Sequence, residues 1–275
     1  MKQMIAIQGI KGSFHYQAAT EYFGNDIEVL ECDSFDKLTV SLIAKEASLG
    51  VMALENSIAG SILPNYALID NLSLHIIGEH YIDVQQNLMA LSGQNIHDLK
   101  EVHSHPMALL QCKTFFKDYP HIKLVEDVDT AETARRIRWK QLSGIGAIAS
   151  KSAAELYGLD ILAESIQTMK ANSTRFVIVK TKNKVLPKKE INKASLKFQV
   201  DHKRGSLAAV LNAISDCNIS MTKIQSLPVI DTPWKYAFFV DIIFEKYDDF
   251  EKAVKLLNIM ADHFKILGEY KNALI

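Results

Sequence analysis

The order of apolar segments along this chain constrains its fold more than any other feature. Up to about residue 180, short β-like runs alternate with segments of helical periodicity. This repeated order predicts an α/β fold with a mainly parallel sheet and helices on its faces. In such sheets, ligands bind outside the carboxyl ends of the strands. The chain of 275 residues is also long enough for two domains.

A different pattern follows residues 180–194, which are rich in lysine and contain a proline. Beyond them the segments follow the order β-α-β-β-α-β, which is the ferredoxin-like unit. We interpret the lysine-rich stretch as a solvated connector, because its composition buries too little apolar surface to fold. A basic patch for an anionic partner is the alternative interpretation. The predicted organisation is a first module over 1–180, a linker over 181–194 and a second module over 195–275.

Composition excludes several classes of protein. Lys+Arg 31 against Asp+Glu 32 leaves a formal charge of -1, so no overall cationic attraction to nucleic acid exists. No apolar run approaches the roughly 18 residues of a membrane span, and no secretory signal is recognised. Three isolated cysteines without a C-x-x-C argue against a disulfide framework and a zinc knuckle. We therefore expect a soluble, cytoplasmic protein with no nucleic-acid or membrane partner.

The first module repeats one local design, in which a strand ends, a short polar segment follows and a helix begins. The design occurs at Gly9–Ser13, Glu55–Ser61, Ser104–Pro106 and Asp129–Thr130. Unpaired N–H groups and partial positive charge at a helix start favour a carboxylate. Several converging helix starts would hold a dianionic small molecule. Ordinary helix capping explains each single occurrence equally well, so convergence on one cleft is a hypothesis.

Other motifs bear on the chemistry. Residues 172–176 place a hydroxyl, a guanidinium and an aromatic ring before a β-branched strand, and Arg175 suits bidentate recognition of a carboxylate. His103 and His105 share one strand face and are the candidate metal pair. No carboxylate or cysteine stands at familiar ligand spacing, so we expect no metal. Nucleotide-binding glycine motifs and the G-x-S-x-G elbow do not occur, and we expect no cofactor.

Taken in order, these motifs resemble the prephenate dehydratase family of phenylalanine synthesis, in the form that carries a C-terminal ACT domain. The resemblance covers nearly the whole chain. The matching segments are Gly9-Ile10-Lys11-Gly12-Ser13-Phe14, Glu55-Asn56-Ser57-Ile58-Ala59-Gly60-Ser61, Ser104-His105-Pro106 with Gln111-Cys112, Asp129-Thr130-Ala131-Glu132, and Thr174-Arg175-Phe176.

The resemblance implies a two-lobed catalytic domain over 1–180, related in shape to periplasmic binding proteins, and an ACT regulatory domain over 195–275. The implied reaction is the decarboxylating dehydration of prephenate to phenylpyruvate, CO2 and water, without a cofactor. Thr174 is the implied group that stabilises the departing hydroxide, and Glu55 is either an acid or an orienting acceptor. The implied substrate-binding residues are Asn56, Ser57, Ser104, Gln111, Arg175 and Phe176.

The resemblance also implies feedback inhibition by L-phenylalanine and a homodimer or homotetramer. The implied effector-binding residues are Gly205, Ser206, Leu207, Ala208, Ser226 and Leu227. Gln225 and Leu227 stand where the family usually has glutamate and arginine, so two charges near the expected effector site are missing. Three alternatives stay open. They are an arogenate dehydratase, whose substrate bears an amine in place of the side-chain keto group, a non-catalytic amino-acid sensor, and a metalloprotein that uses the two histidines.

Overall fold

The computed structural model describes residues 3–182, 186–201, 203–229, 232 and 234–274. Two compact units make up the chain. The first unit runs to Gly60 and resumes over Tyr81–Phe176, and the second comprises Ser61–His80 and the chain from Val177 onward. Residues 61–80 therefore belong with the C-terminal part of the chain, although the sequence pattern places them inside the first module.

The first unit contains most of the alternating strands and helices. Its elements are β1 (Met4–Gln8), α1 (Phe14–Phe23), β2 (Glu28–Cys32), α2 (Phe35–Ile43), β3 (Leu49–Asn56), β6 (Asn87–Ala90), β7 (Glu101–Ser104), α4 (Pro106–Cys112), β8 (Lys123–Glu126), α5 (Thr130–Lys140), β9 (Ile145–Ala149), α6 (Lys151–Tyr157) and β10 (Asp160–Ala163). Three further strands, β4 (Gly60–Ser61), β5 (His75–Asp83) and β11 (Ser173–Lys180), each contain a boundary between the units.

Two sheets form two lobes within the first unit. The strand orders are β11-β3-β1-β2 in one and β10-β6-β9-β7-β8 in the other. β1 is parallel to β2 and β3, and β7 is parallel to β8 and β9, as the alternating pattern predicts. In the second sheet the prediction of a mainly parallel sheet is wrong, because β6 runs antiparallel to both β9 and β10.

The loop after β1 is held by hydrogen bonds from the two ends of α6. Ser150 donates its hydroxyl to the carbonyl of Gly12 at 2.7 Å, and the Tyr157 hydroxyl donates to the carbonyl of Lys11 at 2.6 Å. Gly12 has φ +89°, and a Cβ there would lie 3.2 Å from the Cα of Ala153. Both the dihedral angle and the close approach to α6 therefore require glycine at this position.

The second unit has the predicted β-α-β-β-α-β order. Its elements are α3 (Leu63–Asn71), β12 (Lys193–Gln199), α7 (Ser206–Asp216), β13 (Ser220–Pro228), β14 (Tyr236–Ile243), α8 (Tyr247–Met260) and β15 (Asp262–Tyr270). The strand order is β13-β14-β12-β15-β5. The apolar faces of the two long helices cover the antiparallel strands in a core that includes Phe198, Val210, Ile242, Phe250 and Leu257.

The predicted linker lies between β11 and β12. Residues 183–185 of it are outside the described residues. The following part forms a short 3₁₀ turn over Lys188–Glu190, and Ile191 is buried. Lys193, which the pattern places in the linker, is already the buried first residue of β12. The domain boundaries themselves stay predictions.

Buried charges join residues 61–80 to the rest of the second unit. Lys193 donates to both carboxylate oxygens of Glu79 at 2.9 Å. Asp70 of α3 accepts from Lys197 at 2.5 Å and from Lys265 at 2.6 Å. Buried charges are retained when they are paired in this way, so α3 and β5 are integral parts of this unit. Among the described residues, no helix combines the length and apolarity needed to cross a bilayer.

Candidate active site

A cavity of about 300 Å³ lies within the first unit. Three helix starts line it: Ser13 caps α1, His105 caps α4 and Asp129 caps α5. The structure therefore brings three of the four predicted helix starts to one place. The fourth segment contributes Asn56 and Ala59 to the lining. The volume is at the lower end of the roughly 300–1,000 Å³ that small-molecule sites occupy.

Asn56, the last residue of β3, holds the polar end of this cavity together. Its side-chain oxygen accepts from the backbone N–H groups of Ile58 at 3.0 Å and Ala59 at 2.8 Å. Its side-chain nitrogen donates to Asn172 Oδ1 at 2.6 Å and to Thr174 Oγ1 at 2.9 Å. One amide thus fixes both its own loop and the beginning of β11.

Backbone donors set the orientation of a chain of side-chain amides. Since Ile58 and Ala59 can only donate, Asn56 must present its oxygen to them and its nitrogen to Asn172. Asn172 then presents its own nitrogen to Gln111 Oε1 at 3.2 Å. The hydrogen-bond network therefore determines which side-chain atom of each amide is the oxygen and which is the nitrogen.

Gln86 ends the amide chain. Its Nε2 donates to the same Gln111 Oε1 at 3.4 Å, and its backbone N–H donates to Gln167 Oε1 at 3.0 Å. The remaining Oε1 of Gln86 is buried and has no hydrogen-bond partner among the described residues. Gln86 itself is among the residues that line the cavity.

Thr174 and Phe176 of β11 line the cavity, whereas Arg175 does not. Alternate residues of a strand point to opposite faces, which accounts for the difference. The Thr174 hydroxyl accepts from Asn56 and so keeps its own proton for donation to a ligand. Arg175 is 4% exposed. Its predicted role in binding a carboxylate stays a prediction.

Gln111 lines the cavity, while Glu55, Ser57 and Ser104 are not among the lining residues. Ser57 joins β3 to β11, because its N–H donates to Ser173 O at 2.8 Å and its hydroxyl accepts from Ser173 N at 2.9 Å. Ser104 is fully buried and donates to Ile148 O at 2.7 Å. The substrate-binding roles of both serines and the role of Glu55 stay predictions.

His15 is a lining residue that no sequence motif indicated. Its ring meets Phe176 edge-on at 4.9 Å between centroids and lies 5.4 Å from Phe35. Its Nε2 accepts from the backbone N–H of Ala53 at 3.4 Å. Burial lowers the pKa of His15 to about 3. The imidazole is therefore neutral and forms part of an aromatic wall.

Asp129 is the carboxylate of the cavity lining. Its Oδ1 accepts from the N–H of Glu132 at 2.9 Å and so caps α5. Its Oδ2 faces Gly9, where a Cβ would lie 3.5 Å from this oxygen. Burial raises the pKa of Asp129, and the backbone N–H groups it accepts from act in the opposite direction. The sequence motif showed this residue only as a helix cap.

The two histidines of the candidate metal pair lie in different surroundings. His103 Nε2 is 2.8 Å from Glu101 Oε2, and its Nδ1 is 3.3 Å from the guanidinium of Arg136. His105 lines the cavity, where its Nδ1 accepts from the N–H of Met107 at 3.2 Å. Within the described residues, no group of three potential metal ligands is found.

The predicted effector residues lie on two elements of the second unit. Gly205, with φ +83°, precedes α7, and Ser206, Leu207 and Ala208 form the first turn of that helix. Ser226 and Leu227 lie in β13, opposite Phe238 and Ala237 of β14. A cavity of about 500 Å³ in this unit is lined by other residues, among them Asn192, Ser220 and Asp249. We favour the smaller cavity as the active site because four of the predicted residues line it: Asn56, Gln111, Thr174 and Phe176.

These features define a class of protein: a two-lobed α/β domain with a polar cavity that is lined by helix starts and suits a small molecule. A model of the prephenate dehydratase family matches residues 5–184, and the chain belongs to that family. It is 32% identical over 276 residues to arogenate dehydratase/prephenate dehydratase 2 of Arabidopsis thaliana, covering 97% of this chain and 72% of the relative. It is 33% identical to a bifunctional chorismate mutase/prephenate dehydratase of Aquifex aeolicus, covering 100% of this chain and 75% of the relative.

Solved structures share the fold. One is described as GqqA, a novel type of quorum quenching acylase, with a TM-score of 0.89, 28% identity and 99% of each chain covered. Another is prephenate dehydratase in complex with L-Phe from Arthrobacter aurescens, with a TM-score of 0.88 and 22% identity over 98% of this chain and 90% of that chain. The second likeness supports the fold assignment.

Proposed function

We propose that this chain converts prephenate to phenylpyruvate, CO2 and water in the biosynthesis of phenylalanine, and is therefore a carbon–oxygen lyase. The observation that carries the proposal is the Thr174 hydroxyl, which Asn56 orients in a cavity bordered by helix starts. Family membership and the named relatives support it.

The reaction requires the protein mainly to position the substrate. The bond between the ring and its carboxylate breaks, and the released electron pair makes the ring aromatic as hydroxide departs from the opposite carbon. The protein must hold the two carboxylates, keep water from the ring and stabilise the departing oxygen. A threonine is too weak an acid to protonate that oxygen outright. Thr174 instead donates a hydrogen bond that strengthens as negative charge develops.

The other groups bind and position the substrate. The N–H groups at the start of α1, which Ser13 caps, donate to a carboxylate of the substrate. The wall formed by His15 and Phe176 provides an apolar surface for the ring. Asn56 and Gln111 position Thr174 and Asn172. We retain Ser57, Ser104 and Arg175 as substrate-positioning residues, and Glu55 as an acid or an orienting acceptor.

We also propose that residues 195–275 are an ACT domain that binds L-phenylalanine. The β-α-β-β-α-β order and the location of Gly205–Ala208 at a helix start support this proposal. A structural relative described in complex with L-Phe has the same fold. Titration of the purified protein with L-phenylalanine, followed by calorimetry and by activity, tests it. Absence of binding would contradict the proposal that this domain binds L-phenylalanine.

We further propose that this protein is cytoplasmic and forms a homodimer or a homotetramer. β13 is the edge strand of the second unit, and its nine residues alternate between exposed and half-buried. Such an edge offers unpaired backbone groups to a second copy. Light scattering coupled to size-exclusion chromatography measures the oligomeric state, and a monomer at micromolar concentration would contradict this part.

The decisive experiment is the incubation of purified full-length protein with prephenate and the detection of phenylpyruvate. Binding without turnover would favour the amino-acid sensor. An acylase assay on the same preparation is warranted, because the solved structure described as a quorum quenching acylase is 28% identical to this chain. Acylase activity without dehydratase activity would overturn the proposed function.

A further inference from the structure

The backbone determines which ring nitrogen of His15 carries a proton. His15 is the second residue of α1, and its Nε2 accepts from the N–H of Ala53 at 3.4 Å. Because that N–H can only donate, Nε2 carries the lone pair, and a neutral ring must then carry its proton on Nδ1. The contact with Ala53 therefore makes Nδ1–H a hydrogen-bond donor.

This donor is accessible to a bound molecule. Among the described residues, Nδ1 of His15 has no hydrogen-bond partner, and it is not one of their buried unpaired side-chain atoms. The side chain is half-buried and lines the cavity. The free donor therefore belongs to the accessible part of a lining residue, where it is satisfied by an acceptor on the ligand.

The His15 ring donates without carrying a charge. Burial lowers the pKa of His15 to about 3, and the partial positive charge at the start of α1 also disfavours an imidazolium. Phe35 and Phe176 flank the imidazole, with distances of 5.4 Å and 4.9 Å between ring centroids. The described lining residues include no lysine or arginine. This part of the cavity thus offers a neutral donor among aromatic rings.

Such a donor suits a carboxylate that loses its charge during the reaction. The ring carboxylate of prephenate leaves as CO2, and its negative charge passes through the ring to the departing oxygen. A cationic partner would stabilise the ground state more than the transition state and would raise the barrier. A neutral donor binds the same carboxylate with a smaller effect of this kind. The side-chain carboxylate keeps its charge throughout, so this constraint does not apply to it.

We propose that His15 is a further substrate-binding residue, whose Nδ1–H donates a hydrogen bond to the ring carboxylate of prephenate, the group that leaves as CO2. The inference rests on the proposed function and adds a residue to its site. His15 follows directly on Phe14, where the glycine-containing motif that resembles the family ends.

The first test compares the steady-state kinetics of full-length wild type and His15→Phe, which keeps an aromatic ring in the wall and removes both nitrogens. Because the hydrogen bond is made to the bound substrate before the reaction, its loss should raise KM for prephenate by about 10- to 100-fold and change kcat by a smaller factor. His15→Asn should recover part of this loss, because the asparagine nitrogen is as many bonds from the backbone as Nδ1.

His97→Phe is the matched control. His97 also has an aromatic neighbour, since its ring lies 5.9 Å from that of Tyr119 between centroids, but it does not line the cavity. This substitution should leave both kinetic constants unchanged.

The product phenylpyruvate distinguishes the two carboxylates of the substrate. It keeps the side-chain carboxylate and lacks the ring carboxylate. Its inhibition constant should therefore be the same in wild type and in His15→Phe. If the affinities for prephenate and phenylpyruvate fall in parallel in this variant, His15 does not act on the ring carboxylate and the inference is overturned.

Nitrogen-15 NMR of the wild-type protein tests the donor whether or not His15→Phe folds. At neutral pH the spectrum should show a neutral His15 ring with its proton on Nδ1. A proton on Nε2, or an unchanged KM in His15→Phe, would overturn the inference and leave the dehydratase proposal standing. A wild type that does not convert prephenate would overturn the dehydratase proposal itself.

Discussion

Single residues in the cavity are oriented by hydrogen bonds that are anchored to the backbone. Thr174 is the example, because Asn56 donates to its oxygen and leaves its proton for a ligand. We expect Thr174→Ala to lower kcat by about 10²-fold, the cost of removing one donor to a developing negative charge. Thr174→Ser keeps the hydroxyl and should retain most of the activity. Steady-state kinetics measures both variants, and near-normal turnover in Thr174→Ala would remove the residue from the mechanism.

His15 links the cavity wall to the pH dependence of stability. Its pKa is lowered from 6.5 to about 3 in the folded protein, so the folded state binds fewer protons than the unfolded chain between these values. Stability from this residue is therefore fully present above pH about 6.5 and is lost as the pH falls toward 3. We expect His15→Gln to lose less stability than wild type between pH 7 and pH 4.5 in urea denaturation. An equal loss in both proteins would contradict the assignment.

At the scale of elements, one glycine permits a strand pairing. Gly268 of β15 lies opposite Ile76 of β5, and a Cβ at residue 268 would lie 2.1 Å from the backbone oxygen of Ile76. Because backbone cannot move aside as a side chain does, Gly268→Ala should reduce the free energy of unfolding by about 3 kcal/mol or more. Gly146→Ala is the control, since its nearest contact is a methyl group of Leu99 at 2.9 Å. It should cost less in the same denaturation experiment.

A buried ion pair connects β5 to β12. The side chains of Lys193 and Glu79 are 4% and 0% exposed. Lys193→Met leaves a buried carboxylate without its lysine and should cost about 3–5 kcal/mol of stability. The double variant Lys193→Met with Glu79→Leu should recover most of that loss, because an apolar pair can replace a buried ion pair at little cost. A double variant as unstable as Lys193→Met alone would contradict this expectation.

At the scale of the whole molecule, residues 61–80 belong to the second unit although 1–60 and 81–176 belong to the first. A chain ending at Lys182 lacks Lys193, Lys197 and Lys265, the cations that neutralise Glu79 and Asp70. We therefore expect limited proteolysis to cleave such a truncated chain within residues 61–80 and to leave that segment intact in the full-length protein. Equal resistance in both would show that the segment is stable without its C-terminal partners.

Much of the fold could be predicted from periodicity and helix caps. The order of the second unit and the starts of α1 and α5 followed from local signals, because a capping serine or aspartate acts within one turn of its helix. The antiparallel β6 and the grouping of residues 61–80 with the C-terminal part could not be predicted. Both depend on partners distant in sequence, such as Ala149 opposite Asn87 and Lys193 beside Glu79.

Part of the candidate site could also be predicted from the sequence, and part could not. The motifs around Asn56, Gln111 and Thr174 were readable in the sequence, and their resemblance to one enzyme family determined the reaction we propose. Only the tertiary structure decided that Thr174, Asp129 and Gln86 line the cavity and that Arg175 does not. The physical reason is that residue type sets which chemistry a side chain can perform, while the orientation of that side chain depends on hydrogen bonds and strand faces assembled from distant segments.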